Sequence, residues 1–143
     1  MSKVQQAVSA FQSGFNCSQA IVRTYGPDYG LSPLDSLRVS CGFGGGMRRG
    51  DTCGAVTGAL MVLGLRCGPR DTSDTAAKTE VYSRVVTFCS SFESRCGSRY
   101  CRDLLGCDIS TPQGMEHARA NNLFKTVCPK MVQAAAEILE EMC

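Results

Sequence analysis

Ten of the 143 residues are cysteine, at positions 17, 41, 53, 67, 89, 96, 101, 107, 128 and 143. Sulfur at this density has three uses. It holds soft metals, it exchanges electrons through disulfides, or it fills a core as a small apolar group. The spacing excludes several arrangements. No two cysteines stand at the C-x-x-C interval, which removes a thioredoxin-type dithiol, a zinc ribbon, a clustered ferredoxin run and covalent c-type haem attachment. His117 is the single histidine, so a site that needs two imidazoles cannot be built within one chain. Any metal site must be dominated by thiolates drawn from well-separated elements.

Four of these cysteines fall at expected helix N-termini. Asn16, with Gln19 three residues on, has the form of a capping box, and Cys17 follows it. Cys53 opens an apolar stretch after Asp51 and Thr52, either of which is an expected cap. Cys101 lies in the first turn of a short helix that Ser98 is expected to cap, and Cys128 occupies an N-cap position before Pro129. Free backbone N–H groups and the positive end of the helix dipole stabilise an anion at such places. A thiolate is an anion, so its nucleophilicity or metal affinity becomes usable near neutral pH.

The elements that carry them are helical. Val4, Ala7, Val8 and Phe11 recur at helical spacing up to Gly14. Ser32-Pro33 opens a short helix through Leu34, Leu37 and Val39. The apolar stretch from Cys53 to about Leu65 contains Gly54, Gly58 and Gly64, so another backbone or a ligand is expected against one face. Val81, Val85, Phe88, Cys89, Phe92 and Cys96 line one side of a long amphipathic helix that Gly97 ends. Thr111-Pro112 opens a further helix through His117, and Cys128-Pro129 the last. No segment alternates with period two. The expected fold is all-α: a single helical-bundle-like domain over 1–143, with about six to seven helices and one central Gly-rich apolar helix.

Hydrophobic residues make up 43% and charged residues 20%, which describes a globular chain, not a disordered one. A net charge of +2 gives nucleic acid or a membrane surface little to attract. No apolar run is long enough to span a bilayer, and the first fourteen residues lack the apolar region of an export signal. A cytoplasmic location is therefore expected, where reductants keep thiols free and disulfide staples are not expected. The apolar helix opened by Cys53 is a candidate homodimer interface.

The loop over residues 42–50 is rich in glycine. Residues Gly45 to Gly50 fit G-x-x-x-x-G, but Asp51 stands where a phosphate-binding loop needs lysine, and no strand precedes it, so no nucleotide is expected. Gly44, Gly45, Gly46 and Gly54 instead let the backbone pass close to the cysteine site, where they are candidate cofactor contacts. Arg48 and Arg49 either lower the pKa of Cys53 or are solvated charges. His117 follows Glu116 on a polar face and is expected at the surface. Cys89 and Cys96 are expected as core packing, and Cys41, Cys67, Cys107 and Cys143 have no expected role.

Phe15-Asn16-Cys17-Ser18-Gln19-Ala20, the Gly42–Met47 run, Cys53-Gly54-Ala55-Val56-Thr57-Gly58-Ala59, Cys101-Arg102-Asp103-Leu104-Leu105-Gly106 and Cys128-Pro129 together resemble the C_GCAxxG_C_C family of redox-active proteins, named for its cysteine pattern. The resemblance covers nearly the whole chain. It implies that Cys17, Cys53, Cys101 and Cys128 are the functional set. The pattern is also similar to part of the split-Soret cytochromes, which carry an iron–sulfur centre besides haem. That likeness implies a cluster or metal on the four cysteines, without the haem.

Three functions follow, in this order. The first is an electron-transfer protein whose four motif cysteines converge on an iron–sulfur cluster or another thiophilic metal and serve an unidentified redox partner. The second, close behind, is a metal-free thiol–disulfide protein or sensor, with Cys53 attacking and another of the four resolving. The third is a non-catalytic helical interaction domain with cysteines packed in its core.

Overall fold

A computed structural model describes residues 1–142; Cys143 lies outside the described residues. Helices form the chain, in the order α1 (Lys3–Gln12), α2 (Cys17–Tyr25), α3 (Pro33–Ser40), α4 (Gly54–Cys67), α5 (Thr75–Cys96), α6 (Cys101–Leu105), α7 (Pro112–Ala120), α8 (Leu123–Thr126) and α9 (Cys128–Glu141). These are more segments than the six to seven expected. The short α8 was not anticipated: Asn122, in a left-handed conformation, starts it after a two-residue break.

Local signals set most of the boundaries. Ser2 and Gln5 close a capping box at α1, and Asn16 and Gln19 close another at α2. Ser32 caps α3 ahead of Pro33, and Thr111 caps α7 ahead of Pro112. Gly97, at φ 91, ends α5. Three expected caps differ. The N-cap of α4 is Cys53 itself: its carbonyl accepts from the Thr57 N–H at 3.1 Å, while its own N–H donates to the Arg99 carbonyl at 2.7 Å. Tyr100 precedes α6, while the Ser98 hydroxyl accepts from its backbone N–H. Cys128 is the first residue of α9, following Val127.

Helix α2 is the hub of the packing that concerns the cysteines. It lies against α1, α3, α4 and α9, and α4 also meets α5 and α9. The contact of α2 with α4 is close because α4 presents glycine there. A Cβ on Gly54 would sit 2.9 Å from the backbone nitrogen of Ser18 and 3.2 Å from the Cβ of Cys17. One on Gly58 would sit 3.0 Å from the Ser18 carbonyl oxygen. The tight partner expected for these glycines is thus the backbone of α2. Gly64 differs, since a Cβ there would meet nothing within 4 Å.

The core between these helices is apolar, with Ile21, Val56, Leu63, Phe88, Phe92 and Leu139 fully buried. Cys89 and Cys96 are only half-buried and pack against this core from α5, so the expectation that they fill it is too strong. Among the described residues no helix is long and apolar enough to cross a membrane.

The Asn16 cap also joins helices. Its side-chain amide donates to the Cys41 carbonyl at 2.9 Å, and the Ser18 hydroxyl donates to the Ser40 carbonyl at 2.6 Å. Both bonds pin the start of α2 to the end of α3. Asn16→Ala, which loses the cap and the cross-link, should lower stability by about 1–2 kcal/mol, measured as a shift in the urea midpoint; an unchanged midpoint would refute that role for the cap.

Candidate functional site

Each of the four cysteines singled out by the sequence stands at the start of a helix, and the structure brings all four to one cavity. Cys17, Cys53, Cys101 and Cys128 are 5–8% exposed. They share the lining of a partly open, mainly apolar cavity of about 240 Å³. Distinct devices deliver them. The capped N-terminus of α2 holds Cys17. Gly54, one residue after Cys53, allows the first turn of α4 to lie on that of α2.

Cys53 and Cys101 are joined through their backbones. Thr52 and Tyr100 form an isolated antiparallel bridge, with the Cys53 N–H donating to the Arg99 carbonyl and the Cys101 N–H to the Asp51 carbonyl, each at 2.7 Å. Cys128 arrives on α9, which Val127 joins directly to α8.

The four thiols are not equivalent. Cys17 reaches both Cys128 and Cys53. Hydrogen bonding to Cys128, then to Cys53, together with burial, pushes its pKa well above the ordinary thiol value. Cys53 moves the other way: the Cys17 thiol beside it favours the Cys53 thiolate, and the backbone N–H groups of Ala55 and Val56 in the first turn of α4 add to this against burial. Burial, and then the nearby Cys53 and Cys128, push Cys101 up to about 12. The result is one cysteine held toward thiolate, with a protonated thiol against it.

Among the described residues, no group of three or more His, Cys, Asp or Glu side chains stands close enough to hold a metal ion. All nine described cysteines are free thiols. The other five lie outside the cavity lining. Cys41 is exposed; Cys67, which donates to the Leu63 carbonyl at 3.2 Å, is half-buried, as are Cys89, Cys96 and Cys107.

Of the glycines named with the site, Gly45 and Gly54 line the cavity. Gly44 and Gly46 serve chain packing. A Cβ on Gly44 would overlap the Asn16 side chain, and one on Gly46 would overlap the backbone of Asp51. His117 is exposed, on α7 and away from the cavity.

Arg48 stands nearer the site than Arg49. It lines the cavity, and its charge acts on Cys101, not on Cys53 as expected. Arg48 and Arg49 are both exposed, and Arg49 does not line the cavity. The reason is local. Gly45, Gly46, Met47 and Arg48 all have φ between 59° and 66°, one left-handed turn that swings the Arg48 side chain back over Gly45. For Met47 and Arg48 this conformation costs about 1–2 kcal/mol each.

An all-helical, cysteine-rich chain with four buried thiols around one cavity, one of them held toward thiolate, defines a thiol-centred class of small helical protein. The family model described as "Putative redox-active protein (C_GCAxxG_C_C)" matches residues 15–142, and the chain belongs to that family. No curated protein and no solved structure matches it.

Proposed function

We propose that the protein is a thiol redox protein in which Cys53 and Cys17 interconvert between a dithiol and a disulfide. The carrying observation is the Cys53–Cys17 contact, a thiolate-favouring cysteine with a protonated thiol beside it. In the oxidising direction the Cys53 thiolate attacks a two-electron oxidant. Cys17 gives up its proton as it attacks the sulfur of the Cys53 adduct; the Cys17–Cys53 S–S bond forms, the bond from Cys53 to the oxidant-derived group breaks, and that group leaves with the electron pair. In net, two thiols surrender two protons and two electrons, and the oxidant takes both. Cys128 and Cys101 complete the thiol lining. The whole chain, 1–143, is read as one such domain, working in the cytoplasm with a redox partner that keeps the pair reduced.

The shared cavity favours a second reading, an iron–sulfur cluster or other thiophilic metal on Cys17, Cys53, Cys101 and Cys128. Four thiolates suit a soft metal in their chemistry. Their arrangement does not, since no three ligating groups among the described residues are close enough to hold an ion. The dithiol reading therefore stands first.

The test is the pH profile of Cys53 alkylation, followed by peptide mass. Its midpoint should lie below the ordinary thiol range, because the thiolate form is favoured. Cys17→Ser keeps a hydroxyl donor and should leave the midpoint close to that of the parent. Cys17→Ala removes the donor, leaves burial to dominate, and should move the midpoint upward. A midpoint unmoved in Cys17→Ala would contradict the assignment.

A further inference from the structure

The thiol cavity has a feature that the redox step does not use. Its wall is apolar, formed by Phe11, Phe15, Leu104, Ile109, Phe124 and Met131, and carries a single cationic side chain, Arg48. Among the described residues Arg48 has no ion pair, and no acidic residue lines the cavity. Two other arginines near the Thr52–Tyr100 bridge are occupied: Arg99 pairs with Glu93 at 2.8 Å and Arg102 with Asp51 at 3.3 Å.

The loop is shaped to put Arg48 there. Its left-handed turn includes two non-glycine residues, and Gly45 leaves the space that the arginine crosses. A Cβ at Gly45 would lie 3.0 Å from Arg48 Nη1 and 3.1 Å from Ile109 Cδ1. A guanidinium left without a carboxylate at the edge of an apolar cavity matches a ligand that is apolar at one end and a planar anion at the other. A carboxylate can take it in bidentate fashion. A dianionic phosphate would need a second cation, which the lining does not offer.

Size and access narrow the class further. The four cysteines are only 5–8% exposed, so a ligand beside them occupies the cavity. A dry cavity of about 150 Å³ accommodates benzene. One of about 240 Å³ has room for about ten non-hydrogen atoms on the same scale.

We infer that the cavity receives a small amphipathic monocarboxylate, its apolar body against the aromatic and aliphatic wall beside Cys53 and its carboxylate on Arg48. This goes beyond the redox reading, and its test reads binding alone, so the two can fail separately.

Octanoate, 1-octanol and octylammonium are titrated calorimetrically into the reduced full-length protein. Octanoate is expected to bind, with octylammonium at least about tenfold weaker. Arg48→Gln should weaken octanoate about tenfold and leave octanol unchanged, and Arg48→Lys should restore part of the loss. Absence of octanoate binding, equal binding of the three probes, or octanoate affinity undiminished in Arg48→Gln would each overturn the inference. If Arg48→Gln weakens octanol as well, Arg48→Lys decides: recovery of octanoate supports the anchor, and no recovery overturns it.

Discussion

Serine at position 53 should abolish reversible oxidation of the cavity thiols. With exposed Cys41 replaced by serine to prevent cross-linking between molecules, the reduced protein should lose two thiols to one equivalent of diamide and regain both with dithiothreitol. Cys53→Ser should lose neither. Cys17 and Cys101 are held protonated, Cys17 by its hydrogen bonding and Cys101 by burial. Neither can begin the exchange at neutral pH, because the thiolate is the attacking species. Cys17→Ser should behave differently: Cys53 still reacts, but the adduct persists because no resolving thiol stands beside it. Full loss of two thiols in Cys53→Ser would show that another cysteine starts the reaction.

The second large effect concerns the contact that brings the pair together. Gly58→Leu drives a side chain into the Ser18 backbone, which lies 3.0–3.1 Å from where even a Cβ would stand. Neither helix can yield without opening the core, so the loss should be about 3 kcal/mol, measured by urea denaturation. Gly64→Ala is the matched control. It lies in the same helix with open space around the added methyl, and should stabilise by up to about 1 kcal/mol through helix propensity alone. Equal effects at the two positions would remove the α2–α4 contact from the account. Gly54→Ala sits between these extremes. Its Cβ would press on Ser18 N and on Cys17 Cβ, so it should weaken coupling of Cys53 to Cys17 more than it weakens the fold.

Much of the framework was legible because it is written in short-range signals. The Asn16–Gln19 box, Ser32-Pro33, Thr111-Pro112 and Gly97 act within a turn of their own positions, and all appear where expected. The cavity cysteines were legible for the same reason, since their place at helix starts is local. What the chain does not announce is tertiary. The backbone N–H of Cys53, at the start of α4, bonds to Arg99, far along the chain. Arg48 reaches the cavity only through a left-handed turn that depends on Gly46 lying against the Asp51 backbone. The inequality of the thiols follows from the hydrogen bonding of Cys17 to Cys128 and Cys53 and from the burial of Cys101, and two glycines admit α2 against α4.

The central claim is the Cys17–Cys53 pair, and one preparation tests it most directly. Protein purified without oxygen is assayed for metal and acid-labile sulfide, then oxidised stoichiometrically, digested without reduction and mapped by mass. The account predicts negligible metal and sulfide, and a Cys17–Cys53 cross-linked peptide as the main product. Stoichiometric iron with sulfide, or a dominant cross-link that omits Cys53, would contradict it.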